Sequence, residues 1–260
     1  MFKSFERGWR ILATAIAFSV FGAGGLLLGL VFFPLLNLCM QQNSQKTRIA
    51  RLTVHYAFKL FIELMRITGI LRYRINGIEK LNRQGLLILA NHPTLIDVVF
   101  LISLIKNADC VVKAGLAKNP FTRGPIKGTG YICNDSGTQL LDDCIASLHA
   151  SNNLLIFPEG TRTATDGSMK LQRGAANIAL RGECNITPVT IRCTPLSLTR
   201  GLPWWKVPAS QMIFTLDVGD DIAVAPFLAQ ANGETALAAR QLTQHLHDYF
   251  LPEKPAHAGA

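Results

Sequence analysis

At 260 residues the chain can hold one sizeable core and an appendage. Only 17% of its residues are charged and its mean hydropathy is +0.25, which is too apolar for an ordinary soluble enzyme. The formal net charge of +9 invites a nucleic-acid reading, but no basic face with interleaved aromatic or base-reading residues accompanies it, so no nucleic-acid partner is expected.

The apolar excess is local. Residues 11–45 contain no Asp, Glu, Lys, Arg or His, and the run exceeds the roughly 20 residues a helix needs to cross a bilayer core. Residues 1–45 are therefore expected to form a membrane-embedded helical element. Gly22, Gly24 and Gly25 interrupt it midway and Pro34 follows. Two short helices meeting at the glycines would make a re-entrant hairpin, and a single tilted span is the alternative. Lys3, Arg7 and Arg10 on one flank match Lys46, Arg48 and Arg51 on the other, which leans towards both ends being cytosolic. Cys39 follows the apolar run, but Leu38 occupies the place where a lipoprotein signal wants a small residue, so cleavage there is not expected.

Residues 46–71 read as a basic amphipathic helix suited to the membrane interface. Ile49, Leu52, Tyr56, Leu60, Leu64 and Ile67 fall near helical spacing, with Arg48, Arg51, Lys59 and Arg66 between them. Before position 76 the chain carries ten Lys or Arg against Glu6 and Glu63, so +8 of the +9 lies beside the apolar run, where it suits anionic head groups.

From 72 to 260 short apolar runs alternate with helical stretches. Strands are expected at 72–76, 85–90, 110–115, 129–133, 153–157, 187–193 and 211–218. Helices are expected at 94–106, 119–127, 136–150, 172–182 and 233–250. The alternation predicts an α/β domain with a largely parallel sheet flanked by helices. The segment 201–208 reads as a loop that could carry Trp204 and Trp205 to the interface. The six cysteines show no paired spacing and read as reduced, and the six histidines show no metal-ligand spacing, so no metal is expected.

Two motifs carry the chemistry. Asn91-His92-Pro93-Thr94-Leu95-Ile96-Asp97 begins where an apolar strand ends, at the carboxyl edge where α/β sheets collect their reactive residues. Pro93 suits the start of a helix. A histidine just outside that helix can fold back to the aspartate, which would fix one imidazole nitrogen as N–H and free the other to take a proton from a hydroxyl. Phe157-Pro158-Glu159-Gly160-Thr161-Arg162 again follows an apolar strand, offering an acid, a flexible glycine, a hydroxyl and a guanidinium suited to phosphate.

Together, in this order and separation, the motifs resemble the glycerolipid (lysophospholipid) acyltransferase family, typified by bacterial 1-acylglycerol-3-phosphate acyltransferase. The resemblance covers residues 72–195. Asn91–Asp97 looks like its first block, Lys113–Tyr131 its second, Phe157–Arg162 its third and Ile186–Val189 its fourth. It implies His92 and Asp97 as catalytic residues, and Lys113, Glu159, Gly160, Thr161 and Arg162 at the acceptor site, with Pro188 shaping the pocket. It implies no cofactor beyond a co-substrate, acyl-CoA or acyl-carrier protein, and an acyl transfer to the hydroxyl of a lysophospholipid at a cytoplasmic membrane, with the catalytic domain facing the cytosol. One departure stands out: where the family often has Asp-Arg after the second block, Asp135 is followed by Ser136. This leaves Lys113, Arg162, Arg123 and Lys127 as phosphate candidates and opens the acceptor to a lyso-aminolipid. A CoA-independent lipid transacylase, a lipid hydrolase and a non-catalytic membrane-binding protein are the competing readings.

Overall fold

The computed structural model describes residues 2–251 apart from 136 and 138. The departure at Ser136 thus lies outside the described residues.

The N-terminal element is one continuous helix. Phe2–Leu27 (α1) passes through a π-helical turn, Leu28–Phe32, into Phe33–Cys39 (α2). Of the two alternatives left open, the reversal at the glycines does not occur and the element is a single rod. The glycines serve packing instead. A side chain at Gly25 would run into the carbonyl oxygen of Phe121, and one at Gly124 would collide with the Cα of Gly29. Glycine at both faces lets two backbones meet at a distance no other residue allows. The π turn also has a local cause. Pro34 lacks an N–H and its ring clashes with the carbonyl four residues earlier, and widening the turn before it relieves that clash. From Glu6 to Cys39 the rod has 34 residues, about 50 Å at 1.5 Å per residue.

Ser44–Ile67 (α3) is the amphipathic helix, with Asn43 capping its start by accepting from the backbone N–H of Lys46. Its packed face is not the stripe singled out by spacing. Ala50, Arg51, Val54, His55, Phe61, Ile62 and Met65 are buried, whereas Tyr56, Leu60 and Ile67 are 53%, 72% and 74% exposed. Tyr56, Leu60 and Ile67 of the predicted apolar stripe are thus exposed alongside Arg48, Lys59 and Arg66, while Ile49, Leu52 and Leu64 are half-buried. Arg51, read as part of the basic face, instead pairs with Asp109 at 2.7 Å, both being 4% exposed. The Asp109 carboxylate also accepts from Ser147 Oγ at 2.6 Å, and Arg51 Nε donates to the carbonyl of Thr129 at 3.1 Å.

The remaining chain builds a seven-stranded sheet: β1 (Leu71–Asn76), β2 (Leu87–Ala90), β3 (Ala108–Val112), β4 (Ile132–Cys133), β5 (Asn153–Ile156), β6 (Ile186–Thr194) and β7 (Met212–Val218). Their order is β1-β7-β6-β2-β5-β3-β4. The run β6-β2-β5-β3-β4 is parallel, and β7 lies antiparallel to β6 with β1 parallel to β7. The largely parallel sheet is as expected. β2 and β5 are buried along their whole length, as befits strands covered on both faces.

One face is covered by α1, α3, Asp97–Leu104 (α4) and the second-block helices. The other is covered by Gln139–His149 (α7), Gly174–Arg181 (α8) and Thr235–Phe250 (α10). The second block departs from its predicted boundaries. The strand expected to reach residue 115 ends at Val112, and the single helix expected at 119–127 is two short ones, Ala114–Lys118 (α5) and Arg123–Thr129 (α6). Pro120 separates them, since the residue before a proline avoids the helical region. A further short helix, Ala225–Gln230 (α9), begins with Pro226 in its first turn and was not among the expected helices.

Candidate functional site

Parallel pairing brings the carboxyl ends of β2, β5 and β3 to one edge of the sheet, and the residues that follow them converge there. Asn91 leaves β2 as a side-chain extension of the ladder. Its amide donates to the carbonyl of Ile191 at 2.9 Å and its Oδ1 accepts from the N–H of Ile191 at 2.6 Å. This fixes where the chain turns out of the sheet, so His92 emerges from a set position.

The turn at 92–96 stays outside the helix, and α4 starts only at Asp97. His92 therefore folds back as the spacing allowed: its Nδ1–H donates to Asp97 Oδ2 at 2.9 Å. Asp97 is fully buried and also accepts from the N–H of Thr94 at 2.6 Å and from Thr94 Oγ1. Burial pushes the Asp97 carboxyl up from its usual range, while the hydrogen bonds from His92 and Thr94 favour the ionised form. Three donors aimed at one carboxylate hold its orientation and, through it, the imidazole. The Phe157 ring lies against the imidazole with centroids 4.3 Å apart. With the side chain 16% exposed and Nδ1 engaged, Nε2 is the nitrogen left to meet a substrate.

The FPEGTR turn is bolted to the same loop. Glu159 is 6% exposed, and its Oε1 accepts both the backbone N–H of His92 at 2.8 Å and Thr163 Oγ1 at 2.9 Å. The N–H of Thr163 donates in return to the carbonyl of His92 at 2.7 Å. Burial raises the Glu159 carboxyl above the usual carboxylate range. Gly160 sits at φ +65° in a turn closed by its N–H on the carbonyl of Phe157, a backbone position that favours glycine. Thr161 lies half-buried beside it. Arg162 does not stand free. Its Nη1 donates to the carbonyls of Leu198 and Thr199 at 3.0 and 2.8 Å.

The other predicted positions divide. Lys113 is exposed at the carboxyl end of β3, on the same edge as His92. Arg123 and Lys127 line a cavity of about 1030 Å³ between α2 and α6, together with Phe33, Pro34, Asn37 and Tyr131, with no residue of the His92 loop or the FPEGTR turn on its wall. Pro188 is not brought to His92. It pairs in register with Leu89, three residues back along β2, which is about 10 Å down the sheet, and its carbonyl accepts from the N–H of Gly219 at 2.9 Å. Sequence reading did not single out Thr94, Phe157, Thr163 or the carbonyl of Leu198. Thr94, a hydroxyl residue three before an acid at a helix start, carried a readable signal. Among the described residues no group of three or more His, Cys, Asp or Glu is placed to hold a metal ion.

The family model described as Acyltransferase matches residues 72–192. A Caenorhabditis elegans protein provisionally named 1-acyl-sn-glycerol-3-phosphate acyltransferase acl-2 is 30% identical over 142 residues, covering 52% of this chain and 50% of its own. The 1-acyl-sn-glycerol-3-phosphate acyltransferase of Helicobacter pylori is 28% identical over 132 residues, covering 48% and 54%. The chain thus spans about half the length of the curated relatives it matches. The crystal structure of the 1-acyl-sn-glycerophosphate (LPA) acyltransferase PlsC from Thermotoga maritima superposes with a TM-score of 0.65 at 16% identity, covering 97% of this chain and 99% of that one, which establishes a shared fold. Residues 72–192, which match the family model, hold both loops of the site.

Proposed function

We propose that this protein is a membrane-bound acyltransferase that transfers a fatty acyl group from a thioester, acyl-CoA or acyl-carrier protein, to the hydroxyl of a lysophospholipid or related lyso-lipid. The observation that carries the reading is the buried Asp97 holding His92 by Nδ1 at the carboxyl edge of the sheet, within the matched segment. In the proposed step His92 Nε2 takes the proton of the acceptor hydroxyl while its oxygen attacks the thioester carbonyl. Collapse of the tetrahedral adduct breaks the C–S bond, and the imidazolium returns the proton to the departing thiolate. Asp97 stays ionised throughout and stabilises the transient imidazolium. General-base assistance of this kind contributes about 10²- to 10⁴-fold.

The acceptor is expected to remain partly in the membrane. The rod presents an outer row of large apolar side chains, among them Leu12, Ile16, Val20, Leu27, Leu30 and Leu38, while Ala13, Ala17 and Phe33 face the domain. That division suits a helix with lipid on one side and protein on the other, at a cytoplasmic membrane with the domain on the cytosolic face. Lys113 supplies a cation on the reactive edge for an acceptor phosphate.

The test is thiol release from palmitoyl-CoA and palmitoyl-carrier protein by the detergent-purified protein, with a panel of lysophospholipids and lyso-aminolipids beside His92→Ala. Acceptor-dependent release that vanishes in the variant establishes the transferase and names its lipid and donor. Release without any acceptor points to a hydrolase, acyl exchange without a free thioester to a transacylase, and neither from folded protein to a binding role.

A further inference from the structure

The helical layer of α7, α8 and α10 does not reach across the whole sheet. The core it closes takes buried residues from β2, β5 and, of β6, only Ile186, and none from β1 or β7. On the opposite face, Leu71, Ile191, Met212, Phe214 and Leu216 are buried under α1, α3 and α4. Strand alternation therefore turns the intervening residues of β1, β7 and β6 to a face left outside both cores. In register, Arg72 lies beside Ile213 and Arg74 beside Thr215, with Arg192 on the far side of Thr215. All three arginines and Ile213 are exposed. Asp217, the one acidic residue on this face of the three strands, is occupied: Arg192 Nη1 donates to it at 2.5 Å and Asn76 Nδ2 at 2.6 Å. Arg72 and Arg74 have no carboxylate partner among the described residues.

This patch stands beside the reactive edge. Val189 pairs with Ala90, the last residue of β2, and β6 continues from Thr190 to Thr194, about 16 Å further. β7 and β1 run alongside that extension, so Arg192, Arg74 and Arg72 flank the end of the sheet from which His92 emerges. Arginines on an edge strand deter pairing with another chain, but Arg192 lies two strands in from that edge. A flat face encloses no small molecule, because ligand sites bury most of their ligand in a concavity. A nucleotide thioester is thus poorly matched to it, and a protein of opposite charge is well matched. Cations spread over about 10 Å across the strands and about 7 Å along them steer such a protein without holding it tightly. A donor that must leave after every turnover needs that kind of contact. The rod, with its outer apolar row, packs on the other face of the sheet.

We propose that the open face of β6, β7 and β1 is the landing surface for an acidic carrier protein that brings the acyl thioester to His92. The proposal rests on the acyl-transfer reading of His92 and names its donor as a protein-borne thioester, and its test includes a readout that needs no turnover.

The experiment measures binding of unacylated acyl-carrier protein to the detergent-purified protein by surface plasmon resonance, beside turnover with palmitoyl-carrier protein and with palmitoyl-CoA. Arg72→Glu with Arg74→Glu is expected to weaken carrier binding by about tenfold or more, as two contacts worth up to about fivefold each turn repulsive. Arg72→Gln with Arg74→Gln keeps the strand polar and serves where the glutamate pair fails to fold; it should weaken binding about fivefold. Raising the salt should do the same to the parent protein. Arg240→Glu, on the exposed surface of α10, should change nothing. In turnover, the KM for palmitoyl-carrier protein should rise in step with the loss of binding, with kcat kept and palmitoyl-CoA turnover unchanged. The proposal is overturned if the parent protein does not bind the carrier, or if binding survives the Arg72 and Arg74 substitutions. It is equally overturned if those substitutions instead change the sedimentation mass, which marks a contact with a second copy, or reduce only binding to phosphatidylglycerol vesicles, which marks a lipid surface. Carrier binding that depends on both arginines, without any acyl transfer, would count against the acyl-transfer reading and leave the landing surface standing.

Discussion

The first and third blocks of the site differ in kind from the second. His92, Thr94, Leu95, Asp97, Glu159, Arg162 and Thr163 are linked by hydrogen bonds that run in both directions between two loops. In the second block, Lys113, Arg123 and Lys127 are exposed on short elements, and none of them is in an ion pair among the described residues. The two regions suit different tasks. A proton transfer needs reacting atoms held within tenths of an ångström, so its groups are over-determined. A charged head group arriving from a membrane can be met by long cations that adapt, because Coulomb attraction tolerates displacement. On the proposed function, the cross-linked His92–Glu159 block is the rigid one and the second block the compliant one.

This contrast can be broken at either end. The largest effect is expected from His92→Ala, a loss of about 10²- to 10⁴-fold in kcat with little change in KM, measured by thiol release. Asp97→Asn should follow with a smaller loss, because asparagine keeps an acceptor for Thr94 but no longer stabilises a charged imidazolium. On the compliant side, Lys113→Ala should raise the KM for an anionic acceptor about fivefold, for roughly 1 kcal/mol of lost contact, and leave kcat nearly unchanged. High salt should mimic that substitution and spare the rigid block. The smallest effect concerns stability. Burial raises the Glu159 carboxyl, so as pH falls the native state takes up that proton before the unfolded chain does. Ionised Glu159 therefore costs stability at neutral pH, and the cost disappears as the pH falls below the unfolded value of about 4.3. Glu159→Gln, which preserves an acceptor for His92 N–H and Thr163, should raise Tm by a degree or two at neutral pH and by nothing in strong acid, as thermal melts would register.

The legible parts of this molecule were those written in periodicity and in contiguous motifs. Alternating runs placed the strands, and the strand ends placed His92 and Glu159 on one edge. The rest depended on distance in the chain. Gly22, Gly24 and Gly25 looked like a hinge because a glycine's freedom is visible in sequence and its partner is not; Phe121, against Gly25, lies about a hundred residues away. Arg51 looked like part of a solvated basic face because its neutralising Asp109 is 58 positions on. Pro188 belonged to a block resembling a family motif, yet register places it well below the edge. Leu198, at φ +56°, gives no sign at all, since a left-handed leucine is a consequence of what surrounds it.

The Arg51–Asp109 pair bears on the order in which this molecule is made. The helix carrying Arg51 leaves the ribosome well before β3 and α7, which supply Asp109 and Ser147. Until they arrive, a guanidinium destined for the interior must stay hydrated, so α3 cannot settle into its final seat during that interval. The N-terminal rod, long and apolar enough by composition to cross a bilayer, is made ahead of the domain that packs against it. The buried ion pair can therefore close only once β3 has followed α3 out of the ribosome, while β6 and β7 are still to come.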